Sequence, residues 1–170
     1  AYEMLIRDWS SAVCSSDLEF WINAGDSPFP LSRDNVVSVG LISPWAVAGY
    51  EDGWEHPIIF VASDNTVRRF DGYAPTRISF PYLERLIEAV ADKSTLRACV
   101  HTFGGMAIWS LSSPTWTWQY NQATGGWHQR ESYGLNRWRV AGTVRSNNRW
   151  LAADTRSRNQ IGRASCRERV

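Results

Sequence analysis

The residues of this chain that could do chemistry are few and widely spaced. Glu84 and Glu88 stand four positions apart on a predicted helix, a spacing that could pair two carboxylates for acid–base catalysis. Arg85 lies beside them, and such a charge pattern is more typical of a solvated helix face. The three histidines, by contrast, lack the close spacing to other ligands that a zinc site needs; they are His56, His101 and His128. We therefore expect no metal and no cofactor.

Glycan chemistry is the second possibility to weigh. The turns at 63–65 and 121–127 resemble the Asp-box turns of sialidases, which are structural staples of propeller blades. Glu131 and Tyr133 could supply a nucleophile pair, but nothing in the sequence orders them among clustered arginines. There is also no Gly-rich phosphate loop and no Ser/His/Asp spacing that points to a triad. The sequence favours a protein that is not an enzyme, and a propeller-type glycan hydrolase or glycan-binding module is the alternative.

Charge is distributed unevenly along the chain. Residues 19–129 carry seven Lys and Arg against eleven Asp and Glu, whereas residues 130–160 carry seven against two. Four arginines of the second segment lie around a predicted hairpin and are expected to crowd one edge without partners, because strand side chains alternate between faces; they are Arg137, Arg139, Arg145 and Arg149. This pattern predicts an anion contact, with DNA phosphates as the anion, or a contact with an acidic neighbouring subunit. Ordinary solvated hairpin faces are the alternative.

The segment 57–92 is the unit around which the other elements are organised. Two β-prone runs flank the turn at 63–65, which predicts a hairpin, and a second turn is expected at 71–75. Apolar residues then recur at helical spacing, which predicts a helix near residues 80–91 with Ser79 as its cap and Pro81 in its first turn. One hairpin and one helix cannot bury their own apolar side, so the unit must lie on further sheets.

The rest of the chain reads as short antiparallel strands joined by Gly, Asn and Asp turns. Strands are expected at 19–23, across 96–103 and 106–111, at 116–120 and 127–130, and in a last hairpin at 138–153. The four-stranded group at 96–130 has the size of one propeller blade, and the chain's ten tryptophans would suit packing between blades. We predict an all-β antiparallel meander, a β-propeller-like fragment with one short helix.

The two ends of the chain resemble translated sequencing adapters at 8–18 and at 161–170. We therefore expect residues 1–18 to be an unassigned leader with an adapter-derived segment, residues 19–160 to form a partial β-propeller-like domain, and residues 161–170 to be adapter-derived. Of the three cysteines this leaves Cys99 alone, which supports neither a disulfide framework nor a cysteine zinc site. No apolar run approaches the length of a membrane span, so no membrane partner is expected.

The order of elements resembles one family, the packaged-DNA stabilisation proteins, or tail accessory factors, of short-tailed bacteriophages. The landmarks are Leu-Glu-Phe-Trp at 18–21, Pro-Ile-Ile-Phe-Val at 57–61, Pro-Thr-Arg-Ile-Ser at 75–79 opening the helix, the aromatic region at 109–120, and the polar return at 153–160. Ile78-Ser79 followed by an amphipathic helix is the most specific of them. The resemblance covers nearly all of 19–160, a middle-to-late part of a full family member. Extra aromatics and arginines after Trp127 depart from the family and bear on partner specificity.

This resemblance implies a structural phage tail accessory protein that helps close the portal channel and stabilise packaged DNA. It would assemble as a homo-oligomeric ring below the portal and contact portal-proximal and tail-tip phage proteins, with DNA contact secondary. The implied location is the virion, in the phage tail, after synthesis in the cytoplasm of the bacterial host.

Overall fold

The computed structural model describes residues 17–25, 29–155 and 161–163. In chain order the elements are β1 (Leu18–Asn23), β2 (Leu31–Val37), β3 (Val47–Ala48), β4 (Ile59–Val61), β5 (Val67–Asp71), β6 (Ala74–Arg77), α1 (Pro81–Glu88), a 3-10 turn (Lys93–Thr95), β7 (Arg97–Phe103), β8 (Met106–Ser112), β9 (Thr117–Asn121), β10 (Gly126–Gln129), β11 (Val140–Ser146), β12 (Arg149–Asp154) and β13 (Ile161–Arg163). The predicted fold class, all-β with one short helix, is confirmed. In the described part of the chain, no helix is long and apolar enough to cross a membrane.

In the part of the chain that the structure describes, each strand pairs antiparallel with at least one strand next to it in sequence, and the pairs form four open sheets. An N-terminal hairpin is made of β1 and β2. Sheet I contains β3 to β6, sheet II contains β7 to β10, and sheet III contains β11 to β13. Sheets I and II are four-stranded meanders with the strand order of a propeller blade. The strands predicted at 96–130 are the four strands of sheet II.

The first strands of sheets I, II and III contact one another in series. The Ala98 amide, in β7, donates to the Trp45 carbonyl just before β3 at 2.7 Å. Two residues further along β7, the Thr143 hydroxyl of β11 donates to the Val100 carbonyl at 2.5 Å. The three sheets therefore contact one another through β3, β7 and β11.

Sheet I lies between two apolar cores. Side chains alternate along β4, so that Ile59 and Val61 face a core shared with α1 and sheet II. Phe60, together with the neighbouring Ala62, faces a second core that the N-terminal hairpin covers. All four side chains are fully buried. Burying one large aliphatic or aromatic side chain contributes about 1.5–3 kcal/mol, and β4 contributes to both cores.

The helix is shorter than predicted, and Ser79 does not cap it. Phe80 occupies the N-cap position without a side-chain cap, and Pro81 takes the first turn as expected. The Ser79 hydroxyl instead accepts the Val67 amide of β5 at 3.0 Å, which ties the helix start to sheet I. At the other end, the Lys93 ammonium donates to the Ile87 carbonyl and, at 2.9 Å, to the Glu88 carbonyl. The Val90 amide donates to the Ile87 carbonyl at 3.1 Å as well, and these bonds satisfy the end of the helix at Glu88 rather than at Ala91.

The turn predicted at 71–75 is tighter than expected and is followed by a strand that the sequence did not reveal. Gly72 has a positive φ of 66°, and the chain reverses at Gly72 and Tyr73 alone. Ala74–Arg77 then pairs with β5 as the outer strand of sheet I. Proline cannot donate to a sheet, and it is tolerated here because β6 is an edge strand. Pro75 is a residue typical of turns, and here it lies in the edge strand instead.

The adapter-like segments lie largely outside the described residues. Leu18 begins β1 and is buried in the core under the N-terminal hairpin. Ile161–Arg163 pairs with β12 as the third strand of sheet III. Residues 1–16, 156–160 and 164–170 lie outside the described residues, as does part of the turn expected after β1.

Candidate functional site

The arginine-rich hairpin is formed by β11 and β12, with Asn147 and Asn148 in its turn. Both asparagines have positive φ, 49° and 59°, the pair of values that a two-residue hairpin turn requires. The register places Arg149 opposite Ser146 beside this turn, and Arg145 opposite Trp150. The hairpin predicted at 138–153 therefore forms, and two of its four arginines lie at the turn.

The Arg145 guanidinium is hydrogen-bonded within the protein and is not an unpartnered cation. Its Nη1 donates to the Gly53 carbonyl at 2.8 Å, and its Nη2 donates to the Asn148 side-chain oxygen at 2.5 Å. Gly53 has a φ of 74°, and a Cβ placed on it would lie 1.7 Å from Arg145 Nη1. The glycine is what allows the guanidinium to approach the backbone of the 51–54 turn. Arg149, by contrast, makes no side-chain hydrogen bond or ion pair within the described residues, and it is exposed.

Arg137 and Arg139 lie at the other end of the hairpin, before β11 begins. The Arg139 guanidinium forms a two-point ion pair with Asp154, with Nε 3.3 Å from Oδ1 and Nη2 in contact with Oδ2. Seven strand residues separate this end from the turn, a span of roughly 20 Å. The expectation that the four arginines crowd one edge without partners is wrong, because Arg137 and Arg139 are outside the strand and a carboxylate already holds one of them.

Arg137 instead joins Arg97 at a pocket that the sequence analysis did not identify. The pocket has a volume of about 390 Å³ and lies where the 3-10 turn, the β8–β9 turn and the segment before β11 meet. Its lining includes Arg97, Arg137 and Thr155, and no carboxylate residue. Arg97 is distant from Arg137 in sequence, so no spacing pattern could have revealed that the fold brings them together.

The face of sheet II that is turned toward sheet III is polar although it is buried. Gln119 is the centre of this face, since its Nε2 donates to the Ser110 hydroxyl at 2.9 Å. Its Oε1 lies 3.0 Å from His128 Nε2, which therefore carries the proton. Thr117 accepts the Trp138 amide at 3.1 Å and so links this face to the chain that leads into sheet III. These polar side chains satisfy one another across the sheet junction.

Two reactive residue types lie on this polar face, and the surroundings suppress the reactivity of both. Burial, with smaller contributions from Arg130 and His128, lowers the pKa of His101 to about 4, so the imidazole is neutral at pH 7. Burial likewise raises the pKa of the Cys99 thiol to about 12, so it stays protonated. A thiol in this state is a small apolar side chain and not a nucleophile.

The carboxylates named in the sequence analysis make local structural contacts. Both oxygens of Glu84 accept from the Arg77 guanidinium, at 2.7 and 2.5 Å, which ties the helix to β6. Arg85 and Glu88 are exposed, so the solvated helix face that the charge pattern predicts is present. In the turn at 63–65, Asp64 accepts from the Thr66 amide at 3.0 Å and from Arg68 at 2.5 Å. Burial opposes ionisation of Asp64, but these hydrogen bonds prevail and lower its pKa.

The aromatic residues that a glycan site would expose are packed between elements. The Trp127 indole donates to the Ile78 carbonyl at 2.8 Å, and its ring lies 5.1 Å from that of Tyr120 and 6.1 Å from that of Trp109. Trp116 is 7% exposed and belongs to the same core. Tyr133, named as a nucleophile candidate, is 98% exposed. Glu131 accepts from Gln129 at 3.0 Å. Within the described residues, no group of three or more His, Cys, Asp or Glu side chains could hold a metal ion.

Comparison with protein-family models finds no match for this chain, and comparison with curated proteins finds none either.

Proposed function

We propose that this protein is a non-enzymatic structural component of a phage tail, a blade-built accessory protein that helps close the portal channel over packaged DNA. The resemblance across residues 19–160 supplies the biological setting of this proposal. The observation that carries its structural part is the serial contact of β3, β7 and β11, with apolar cores on both faces of sheet I. Sheets that contact their neighbours in this way are the building plan of proteins made of stacked units.

The position of the tryptophans favours this reading over a glycan module. A glycan site would present Trp116, Trp118 and Trp127 in one open pocket beside arginine and carboxylate groups. Trp116 is buried, and Trp118 and Trp127 are half-buried against the core between sheets I and II. Their area therefore stabilises the junction between sheets and offers no flat platform to a sugar.

The charge distribution supports assembly through a head-to-tail ring. The acidic excess lies in residues 19–129 and the basic excess in residues 130–160, so the two sides of such a contact could be complementary. Arg137 and Arg149 are the members of the predicted arginine set that an external partner can reach without breaking an internal contact. Arg139 and Arg145 contribute instead to the hairpin itself.

The genome context of the complete reading frame is the first test. We expect portal and head genes beside it, and neighbours that process carbohydrates would overturn the proposal. The second test is co-expression of the complete protein with the portal protein encoded nearby, followed by light scattering after size-exclusion chromatography. A ring that co-elutes with the portal is expected, and a monomer that does not bind the portal contradicts the proposal.

The double variant Arg137→Gln/Arg149→Gln tests the ring contact directly. We expect weaker ring formation and a smaller dependence of assembly on salt, because two cations that face the partner are removed. Arg85→Gln is the matched control, since Arg85 is an exposed helix residue outside the basic segment. Equal assembly of the parent, the double variant and the control would show that these arginines are only a solvated surface.

A further inference from the structure

The pocket between sheets II and III has the charge of an anion site. Arg97 and Arg137 both line it, and no lining residue carries a carboxylate to neutralise them. Neither side chain forms an ion pair or a hydrogen bond within the described residues, whereas the nearby Arg139 is held by Asp154. Two cations that share a cavity repel each other, and an anion between them removes that repulsion.

The N–H groups of Arg97 and Arg137 remain available to donate hydrogen bonds to a ligand. The Arg97 guanidinium lies over the Trp45 ring, with its carbon 5.0 Å from the ring centroid. Stacking uses the face of the guanidinium and leaves the N–H groups, which lie in its plane, free to donate. Arg137 is half-buried, and its own carbonyl accepts the Ser132 amide at 3.1 Å, which fixes the backbone from which its side chain extends.

Three of the hydroxyl groups around the pocket are held by internal hydrogen bonds, and a fourth is available to donate to a ligand. Ser94 donates to Asp92 Oδ1 and Thr95 donates to the Asp92 carbonyl, each at 2.6 Å. The Ser113 hydroxyl accepts the Trp116 amide at 3.1 Å within the β8–β9 turn. These three shape the wall. The Thr155 hydroxyl makes no hydrogen bond within the described residues, so it is a third donor beside the two arginines.

We propose that this pocket binds a phosphate group, with Arg97 and Arg137 as the two charged donors and Thr155 as the neutral one. Planar guanidinium groups match the oxygen geometry of phosphate and can each donate two hydrogen bonds. Two positive charges also match a dianion. The volume of about 390 Å³ is within the range of small-molecule sites and exceeds what the phosphate needs, so a compact phosphate ester fits better than the free ion. This inference does not depend on the proposed tail role.

The test is isothermal titration calorimetry of the full 170-residue chain at low salt, with inorganic phosphate and ribose 5-phosphate as the two probes. Both are expected to bind, the ester more tightly, and binding should weaken as salt is added. Arg97→Gln and Arg137→Gln should each weaken binding about tenfold to hundredfold, because each removes a charge-assisted pair of hydrogen bonds. Arg85→Gln is the matched control, since it removes the same charge from an exposed helix position outside the pocket and should leave phosphate binding unchanged.

Thermal unfolding with and without each probe distinguishes loss of the site from loss of stability in a variant. The parent should gain thermal stability as either probe is added, and a folded variant that has lost the site should not. A dissociation constant weaker than about 10 mM for both probes would overturn the proposal. Equal weakening by all three substitutions would also overturn it, because it would indicate general charge attraction. Binding of a short DNA duplex without binding of either small probe would overturn it in favour of an extended surface.

Discussion

His101 makes the stability of this protein sensitive to mild acid. The imidazole is 3% exposed and its ring lies 5.2 Å from that of Trp138, on the polar face of sheet II. Its Nδ1 has no hydrogen-bond partner among the residues that the structure describes. Burial, the nearby Arg130 and His128 all oppose a positive charge at this position, which lowers the pKa of His101 from 6.5 to about 4.

The size of the effect follows from the two pKa values. Above pH 6.5 the imidazole is neutral in both the folded and the unfolded chain, so His101 adds no pH dependence there. Between pH 6.5 and 4 the unfolded chain binds the proton and the folded chain does not, so the free energy of unfolding falls with pH. The full loss is about 3 kcal/mol, since each pKa unit corresponds to about 1.4 kcal/mol.

This dependence is measured by urea unfolding of the parent and of His101→Phe at about pH 7.5, 6.5, 5.5 and 4.5. The phenyl ring keeps an aromatic side chain beside Trp138 but cannot bind a proton. We expect the free energy of unfolding to fall more steeply with acid in the parent than in the variant. The difference between the two curves, rather than either curve alone, reports His101 together with its coupling to His128, whose own pKa is lowered mainly by burial.

Other groups titrate near the pH range of this experiment, and they are present in both the parent and His101→Phe. Burial raises the pKa of Glu51, so its contribution to stability is lost as pH rises, which is opposite in sign. The lowered pKa of Asp64 acts at more acid pH. Parallel curves for the parent and the variant from pH 6.5 to 4.5 would refute the argument and would mean that His101 is protonated in the folded state.

Three further substitutions or reactions test individual contacts. Gly53→Ala should lower the free energy of unfolding by about 1–2 kcal/mol, measured by urea unfolding, because the positive φ is strained for alanine and the new Cβ displaces Arg145. Leu83→Ala should cost about 2–5 kcal/mol in the same assay, since Leu83 is fully buried in α1. Tyr82→Ala, its exposed neighbour, should cost far less, and similar losses would contradict the assigned helix face. Cys99 should react with iodoacetamide only after unfolding, as followed by mass spectrometry of its peptide, and rapid labelling of the native protein at pH 8 would contradict its burial.

The parts of this fold that the sequence predicts are those set by local pattern. Leu83 and Ile87 recur at helical spacing and both are buried, so the helix and its inner face follow from periodicity. Asn65 at the β4–β5 turn adopts a positive φ of 65°, as a turn asparagine can, and the hairpin around it is where the sequence places it. The strands of sheet II follow in the same way from Gly-rich turns between β-prone runs.

The parts that the sequence did not predict depend on contacts between distant residues. Ser79 has the residue type and place of a helix cap, but its hydroxyl is used by the Val67 amide of another strand. In the sequence, Arg139 is one of four arginines without an evident partner. The hairpin register places Asp154 beside it, and the two form an ion pair. Arg97 and Arg137 line the same pocket only because the fold brings the start of β7 beside the segment before β11. Local propensity contains no information about such pairings.

The position of sheet I between two cores has a consequence for how the protein melts. Phe60 and Ile59 are adjacent in β4 yet belong to different cores, so sheet I cannot separate from either neighbour without losing apolar burial. In a stacked array, such nearest-neighbour coupling makes adjacent units unfold together. The chain leading into sheet III is joined to sheet II partly through polar links, such as the Trp138 amide on Thr117 and the Thr143 hydroxyl on Val100. Amide hydrogen exchange should therefore be fastest in sheet III and slowest in β4, where opening requires the whole stack to come apart.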